Sequence, residues 1–360
     1  MAAIQRCAQS TLNWDHFETE GLLLLQMHPA ILPQVTIVGL AIILAWYFDT
    51  FDFGFFKFTS KEKGDPVDEL LKKKHQVVGK ECIPGKDTCF LIVDSYFLEN
   101  GRLTTKRDLL LEENTEYSLT GVEVESVKPV SWNNLDSRNW PVNKLVINSR
   151  YARLLVASGF IMNSLNFDES DHQDVLIAGL GGGVMSNFFS QISYLNIDTT
   201  VVEKEEFIIN IAENYFDHFE TDEMRIINTD FVDYLRKYDK KYDVIIVDAC
   251  ENKKTNVMCP VSETLKIKTV QLLKKRLTLN GILAVNVFVT QDNIKSEKEI
   301  FELFSNEFNS CFYLEYFKNK NVLLCSKRDN WTWKKQKTEF SKNVEIVDDM
   351  FEFKLSRFLH

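Results

Sequence analysis

Two short stretches of this 360-residue chain carry residue types that could do chemistry at defined spacing. The first is Gly179-Leu180-Gly181-Gly182-Gly183-Val184, at the end of the apolar run VLIAGL. Glycine lets a ligand approach backbone N–H groups with no Cβ in the way. A helix starting near Val184 would add its positive end. Glu203 closes the next strand-like run, TTVVE, twenty residues beyond Gly183, a distance at which a carboxylate can hold both hydroxyls of a ribose. The second stretch is Asp248-Ala249-Cys250-Glu251, at the end of YDVIIVD. A carboxylate at the C-terminal edge of a parallel strand faces the crevice where a transferred group sits. Asp248 and Glu251 are therefore the candidate catalytic pair, able to hold an incoming amine and accept its proton.

The glycine turn and Glu203 fit both NAD and S-adenosylmethionine. Three details favour the second. The third glycine of the dinucleotide fingerprint falls at Val184. Asn228-Thr229-Asp230 follows the run MRIIN and places a carboxylate where an adenine amino group could bind. The run YLEYFKNKNVLLCS reads as a closing hairpin with one strand inserted antiparallel. The expected cofactor is S-adenosylmethionine, held by Gly179, Gly181, Gly182, Gly183, Glu203, Asp230 and Asp248; Asp230 equally suits a helix N-cap. Methyl transfer needs a neutral amine aligned behind the sulfonium carbon, so positioning and charge control do most of the work. The Asn-Pro-Pro-aromatic signature of base-amino methyltransferases is absent after Val247, which disfavours nucleobases. Cys259, in Met258-Cys259-Pro260, has no His nearby in sequence and reads as structural; His75, His172 and His218 read as surface residues.

The elements that must position these groups are an alternating series. VLIAGL, TTVVE, MRIIN, YDVIIVD and GILAVNVFV are strands separated by helical stretches such as 205–215 and 264–277. That alternation predicts an α/β, Rossmann-like, mostly parallel sheet with helices on both faces. The expected organisation is an N-terminal segment 1–56, a Lys-rich linker 57–86, a small antiparallel β subdomain 87–147, a cofactor-binding domain 148–330 and a tail 331–360. Ile31–Phe48 is eighteen residues without a charge, short for a bilayer but long enough to read as a possible transmembrane helix. Lysines on its C-terminal flank and acids on the other would leave the catalytic part membrane-associated and cytosolic; the alternative is a buried helix and a cytoplasmic protein. A net charge of −10 argues against a chain that grips nucleic acid by an overall positive field. Seven scattered cysteines without paired spacings read as reduced intracellular thiols and not as a disulfide framework or zinc site. The one Asn-x-Thr match, at Asn330, does not settle topology.

With these residues in place, residues 145–326 resemble the spermidine-synthase-like branch of class I methyltransferases. The GLGGG turn, the preceding β subdomain and the pair Asp248 and Glu251 carry that likeness. Polyamine synthases of this branch have Asp-Ser-Ser-Asp at the fourth strand end and a Tyr-Gln pair on the preceding helix. Here the strand end is DACE, and Tyr151 is followed by Ala152. NSRYARLLVASG, YDVIIVDA, the MCP loop and NGILAVNVF resemble more specifically the C-terminal half of the elongation factor 1A lysine and N-terminal methyltransferase family (methyltransferase-like 13). That resemblance implies methylation of a protein amine, with elongation factor 1A as a possible partner. A polyamine aminopropyltransferase, or a membrane-tethered fold without catalysis, are the competing expectations.

Overall fold

The computed structural model describes residues 64–251, 255–290, 294–317 and 320–359. The 31–48 segment and its flanks lie outside them. Among the described residues no helix is long and apolar enough to cross a membrane.

The described chain begins with helix α1 (Pro66–Lys73), capped by the Asp65 carboxylate on the Val67 amide. Strands β1 (His75–Cys82), β2 (Cys89–Glu99), β3 (Arg102–Leu111), β4 (Asn114–Val124) and β5 (Val142–Ile147) follow, each antiparallel to the last in the order β1-β2-β3-β4-β5. Residues 64–86, read from their lysines as linker, thus contain a helix and a strand. The period-two burial of β1 through Val78 is too weak to show against its charged neighbours.

Helix α2 (Arg150–Ile161) leads into the larger sheet: β6 (Gln173–Ala178), α3 (Val184–Gln191), β7 (Ile197–Glu203), α4 (Glu206–Phe216), β8 (Met224–Asn228), α5 (Phe231–Lys237), β9 (Tyr242–Val247), β10 (Val257–Cys259), α6 (Ile267–Arg276), β11 (Leu277–Val289), α7 (Ile294–Ser305), β12 (Ser310–Phe317), β13 (Lys320–Ser326) and α8 (Lys337–Phe351). The strand order is β12-β13-β11-β9-β6-β7-β8, with β10 pairing on β11. β6 to β9 and β11 run parallel, and β13 is inserted antiparallel between β11 and β12, as the hairpin reading expects. Side chains of β6 alternate between two cores. Val175 and Ile177 pack with α2, α3 and the small sheet; Leu176 and Ala178 pack with α5 to α7.

Arg107 ties the small sheet to the large one through the Tyr215 carbonyl. Arg107 on β3 forms a fully buried bidentate pair with Asp94 on β2 (2.7 and 2.8 Å) and also donates to the carbonyls of Ser137 and of Tyr215 at the end of α4. Residues 331–359, read as a tail, belong to the body instead. Phe351 and Phe353 join Phe160, Phe167 and Phe188 in an aromatic cluster that covers α2.

The cysteine reading is overturned. All six cysteines among the described residues are paired: Cys82–Cys89, Cys250–Cys259 and Cys311–Cys325. Cys82 faces Cys89 across β1 and β2, and Cys311 faces Cys325 across β12 and β13. Strand register, which spacing alone does not reveal, brings these partners together.

Candidate active site

The sheet reverses its order between β6 and β9, and the crevice at such a switch point is where α/β sheets bind ligands. Asp248 lies there, its amide bonded to the Ala178 carbonyl at 2.9 Å. The glycine turn leaves β6 beside it. Gly179 has φ 90°, and a Cβ on it would sit 2.8 Å from the Asp248 carbonyl oxygen. Gly183 has φ 70° and its Cβ would fall 2.0 Å from Cδ2 of His218. Those glycines are required by protein packing, where the sequence pattern suggested ligand approach. Gly181 is different, since a Cβ there would meet nothing nearer than Thr120 at 3.8 Å. Gly181 is partly exposed, whereas Gly182 and Gly183 are buried.

Beside the glycine turn, Glu203 is 9% exposed and accepts from the amides of Leu180 and Glu205, both at 2.9 Å. Burial pushes its carboxyl above the usual range, against the pull of those amides. Helix α3 follows Gly183, an N-cap in the left-handed region with no side-chain hydrogen bond to the first turn. Asp230 does cap α5, accepting from Val232 (2.9 Å) and Asp233 (3.3 Å), and its other oxygen lies 3.6 Å from Lys204. His218, read as a surface residue, is fully buried. Its Nε2 is 2.6 Å from Ser186 Oγ, which in turn donates to the Gly183 carbonyl. Burial first, and Lys144 second, push this imidazole down to about 4, so it is neutral near pH 7. No spacing in the sequence announces it; the bare Gly183 is its counterpart.

At the end of β9, Asp248 accepts from Asn286 Nδ2 at 2.7 Å. Tyr316 donates to Asn286 Oδ1 at 3.1 Å. Tyr151 reaches the Leu119 carbonyl at 3.3 Å, and its ring centre is 5.9 Å from that of Tyr316. Asp248 is partly buried at the C-terminal end of β9. That burial pushes its carboxyl up to about 7, while hydrogen bonds from Asn286 and Tyr151 hold it down. Tyr151 and Tyr316 are both raised, by burial and then by the Asp248 charge, and stay protonated donors. Glu251 turns elsewhere: its carboxylate accepts from the Ser262 amide at 3.1 Å and its amide donates to Met258. The two carboxylates paired in the sequence reading thus have different surroundings, and Glu251 fastens the loop. Asn286 and Tyr316 were missed. A lone Asn inside the apolar run GILAVNVFV was the available signal.

The group among the described residues with metal-ligand spacing, His172, Asp174 and Asp198, lies at the opposite end of β6 and β7. There Lys240 already meets Asp174 at 2.6 Å.

Residues 156–330 match the spermine/spermidine synthase domain family. A curated Drosophila melanogaster protein, "eEF1A lysine and N-terminal methyltransferase homolog", is 25% identical over 129 residues, 35% of this chain. The match spans only 19% of that relative's length. A probable spermidine synthase from Corynebacterium glutamicum superposes with TM-score 0.53 at 12% identity, covering 76% of this chain and 94% of its own. At that identity it shows a shared fold. Human methyltransferase-like protein 13, solved in complex with SAH, aligns with TM-score 0.49 at 17% identity over 55% of this chain and 92% of that one.

Proposed function

We propose that the chain is an S-adenosylmethionine-dependent methyltransferase whose acceptor is an amine, on a protein. The observation that carries this is Asp248: a carboxyl raised to about 7, held by Asn286, directly beside the glycine turn. The Drosophila relative's name supports methyl transfer to a protein amine, and through it elongation factor 1A is the first acceptor to try.

The residues present fit the cofactor. Gly181 offers the open backbone, Glu203 would take the ribose hydroxyls and Asp230 would lie on the adenine side. When bound, S-adenosylmethionine supplies a methyl group on an electrophilic sulfonium. Asp248, half ionised near pH 7, accepts the proton that the amine sheds. The Tyr316–Asn286–Asp248 chain fixes the carboxylate's direction. The faces of Tyr151 and Tyr316 favour the positive charge that builds on the nitrogen.

Aminopropyl transfer is the second reading, favoured by the family match over 156–330. Ala152 stands where polyamine synthases of this branch carry Gln, and it is completely buried. Calorimetric titration with S-adenosylmethionine, its decarboxylated form and NAD separates the readings. Selective binding of the first supports methyl transfer, and preference for the decarboxylated form replaces it with aminopropyl transfer.

A further inference from the structure

The three cysteine pairs lie in separate places: an edge of the small sheet, the loop beside Asp248, and the outer hairpin of the large sheet. Cys259 is 5% exposed and Cys325 is fully buried. Thiols in such positions are closed off once the chain has folded, so their oxidation belongs to folding and not to later damage. A reducing compartment would keep them as thiols. A second observation is independent of sulfur. Asn330-Trp331-Thr332 is the only Asn-x-Ser/Thr sequence among the 360 residues. Asn330 is exposed, in the turn between β13 and α8, with φ 55°. Trp331 is anchored beneath it, its indole N–H on the Met162 carbonyl at 3.0 Å.

We propose that this domain matures and works in an oxidising compartment of the secretory route, with Asn330 as an N-glycan acceptor. Each bridge forms as two thiols give up two electrons and two protons to a disulfide-bearing oxidant of that compartment, which is reduced to its dithiol. The Asn330 amide nitrogen bonds the anomeric carbon of an oligosaccharide donor, a polyprenyl diphosphate leaves, and one amide proton is lost. This placement reverses the side read from the charges flanking 31–48. Combined with the methyltransferase reading, on which this last step rests, it makes the acceptor an amine on a protein that shares the compartment, which takes the place of elongation factor 1A as the first acceptor to try.

The test uses the full chain expressed in cultured eukaryotic cells, quenched in acid and labelled with a mass-tagged maleimide. At most the Cys7 thiol should react before reduction, and all seven cysteines after it. Six or more tags without reduction would overturn the proposal. N-glycosidase treatment should increase gel mobility, and N330Q should remove that shift. Paired thiols without a glycan would overturn Asn330 as acceptor while supporting the compartment. Isotopically labelled methyl groups should enter luminal proteins of lysed microsomes in preference to cytosolic ones, and the reverse would overturn the acceptor class. The thiol count needs no turnover, so it stands or falls apart from catalysis.

Discussion

The two halves of the candidate site are built by different means. The glycine-turn half is local in sequence and supported by backbone: Gly179 to Gly183 and Glu203 lie on consecutive strand–turn units, and Glu203 is held by main-chain amides. The Asp248 half gathers Tyr151, Asp248, Asn286 and Tyr316 from four elements, with side-chain hydrogen bonds linking Tyr316, Asn286 and Asp248. Their titrations also oppose each other. His218 behind the glycine turn is held neutral, and Asp248 is held protonated to about pH 7. A side made of backbone conserves the position of its ligand; a side made of side chains sets protonation.

The sharpest break between the halves is Asp248→Asn. It should lower kcat by about 10²–10⁴ while the calorimetric Kd for S-adenosylmethionine stays within about threefold. An equal loss in both would dissolve the distinction. The acid limb of the wild-type rate profile, centred near 7, should vanish with it.

Next comes stability in the glycine-turn half. His218 has a folded value of about 4, below its unfolded 6.5. Its contribution is complete above pH 6.5 and lost as pH falls through 4, by up to about 3 kcal/mol. Urea unfolding across that window should show the slope, and His218→Asn should flatten it.

Glu203→Ala should weaken cofactor binding by about 10–100-fold, the worth of one or two hydrogen bonds to a charged group. The rate with saturating cofactor should change much less. Asp248 gives the opposite sign of pH dependence: its folded value of about 7 exceeds the unfolded 3.8, so stability falls as pH rises between them. Asp248→Asn should accordingly be more stable than wild type at pH 8, by about 1–3 kcal/mol, and the gain should vanish at pH 4. The smallest effect belongs to Tyr316→Phe, which frees Asn286 to rotate. A rise in amine KM of about 3–10-fold is expected from one neutral hydrogen bond, with cofactor affinity unchanged.

The same division explains what the sequence made legible. The parallel sheet, the inserted β13, the glycine turn, Glu203 and Asp248 are written in contiguous runs whose period and end residues carry the message. Asn286 and Tyr316 meet Asp248 only because β11 pairs with β9 and Tyr316 comes from the hairpin beyond it, and nothing local states that pairing. The disulfides were hidden for the same reason. Lysine content misdirected the reading of 64–86, and the aromatic contacts of Phe351 and Phe353 become visible only when α8 is laid against α2.

The Arg107 guanidinium, shared between Asp94, Ser137 and Tyr215, has a practical reach beyond the cleft. Because its Nη1 reaches from the small sheet to the Tyr215 carbonyl, melting either sheet alone takes away the donor or the acceptor of a buried, charge-assisted hydrogen bond. Slow-exchanging amides in β3 and in β7 should therefore open at one common free energy. A fragment cut at residue 148 would shed more than an appendage: it would expose Phe216 and the glycine turn beneath Thr120, and should come out of cells as aggregate.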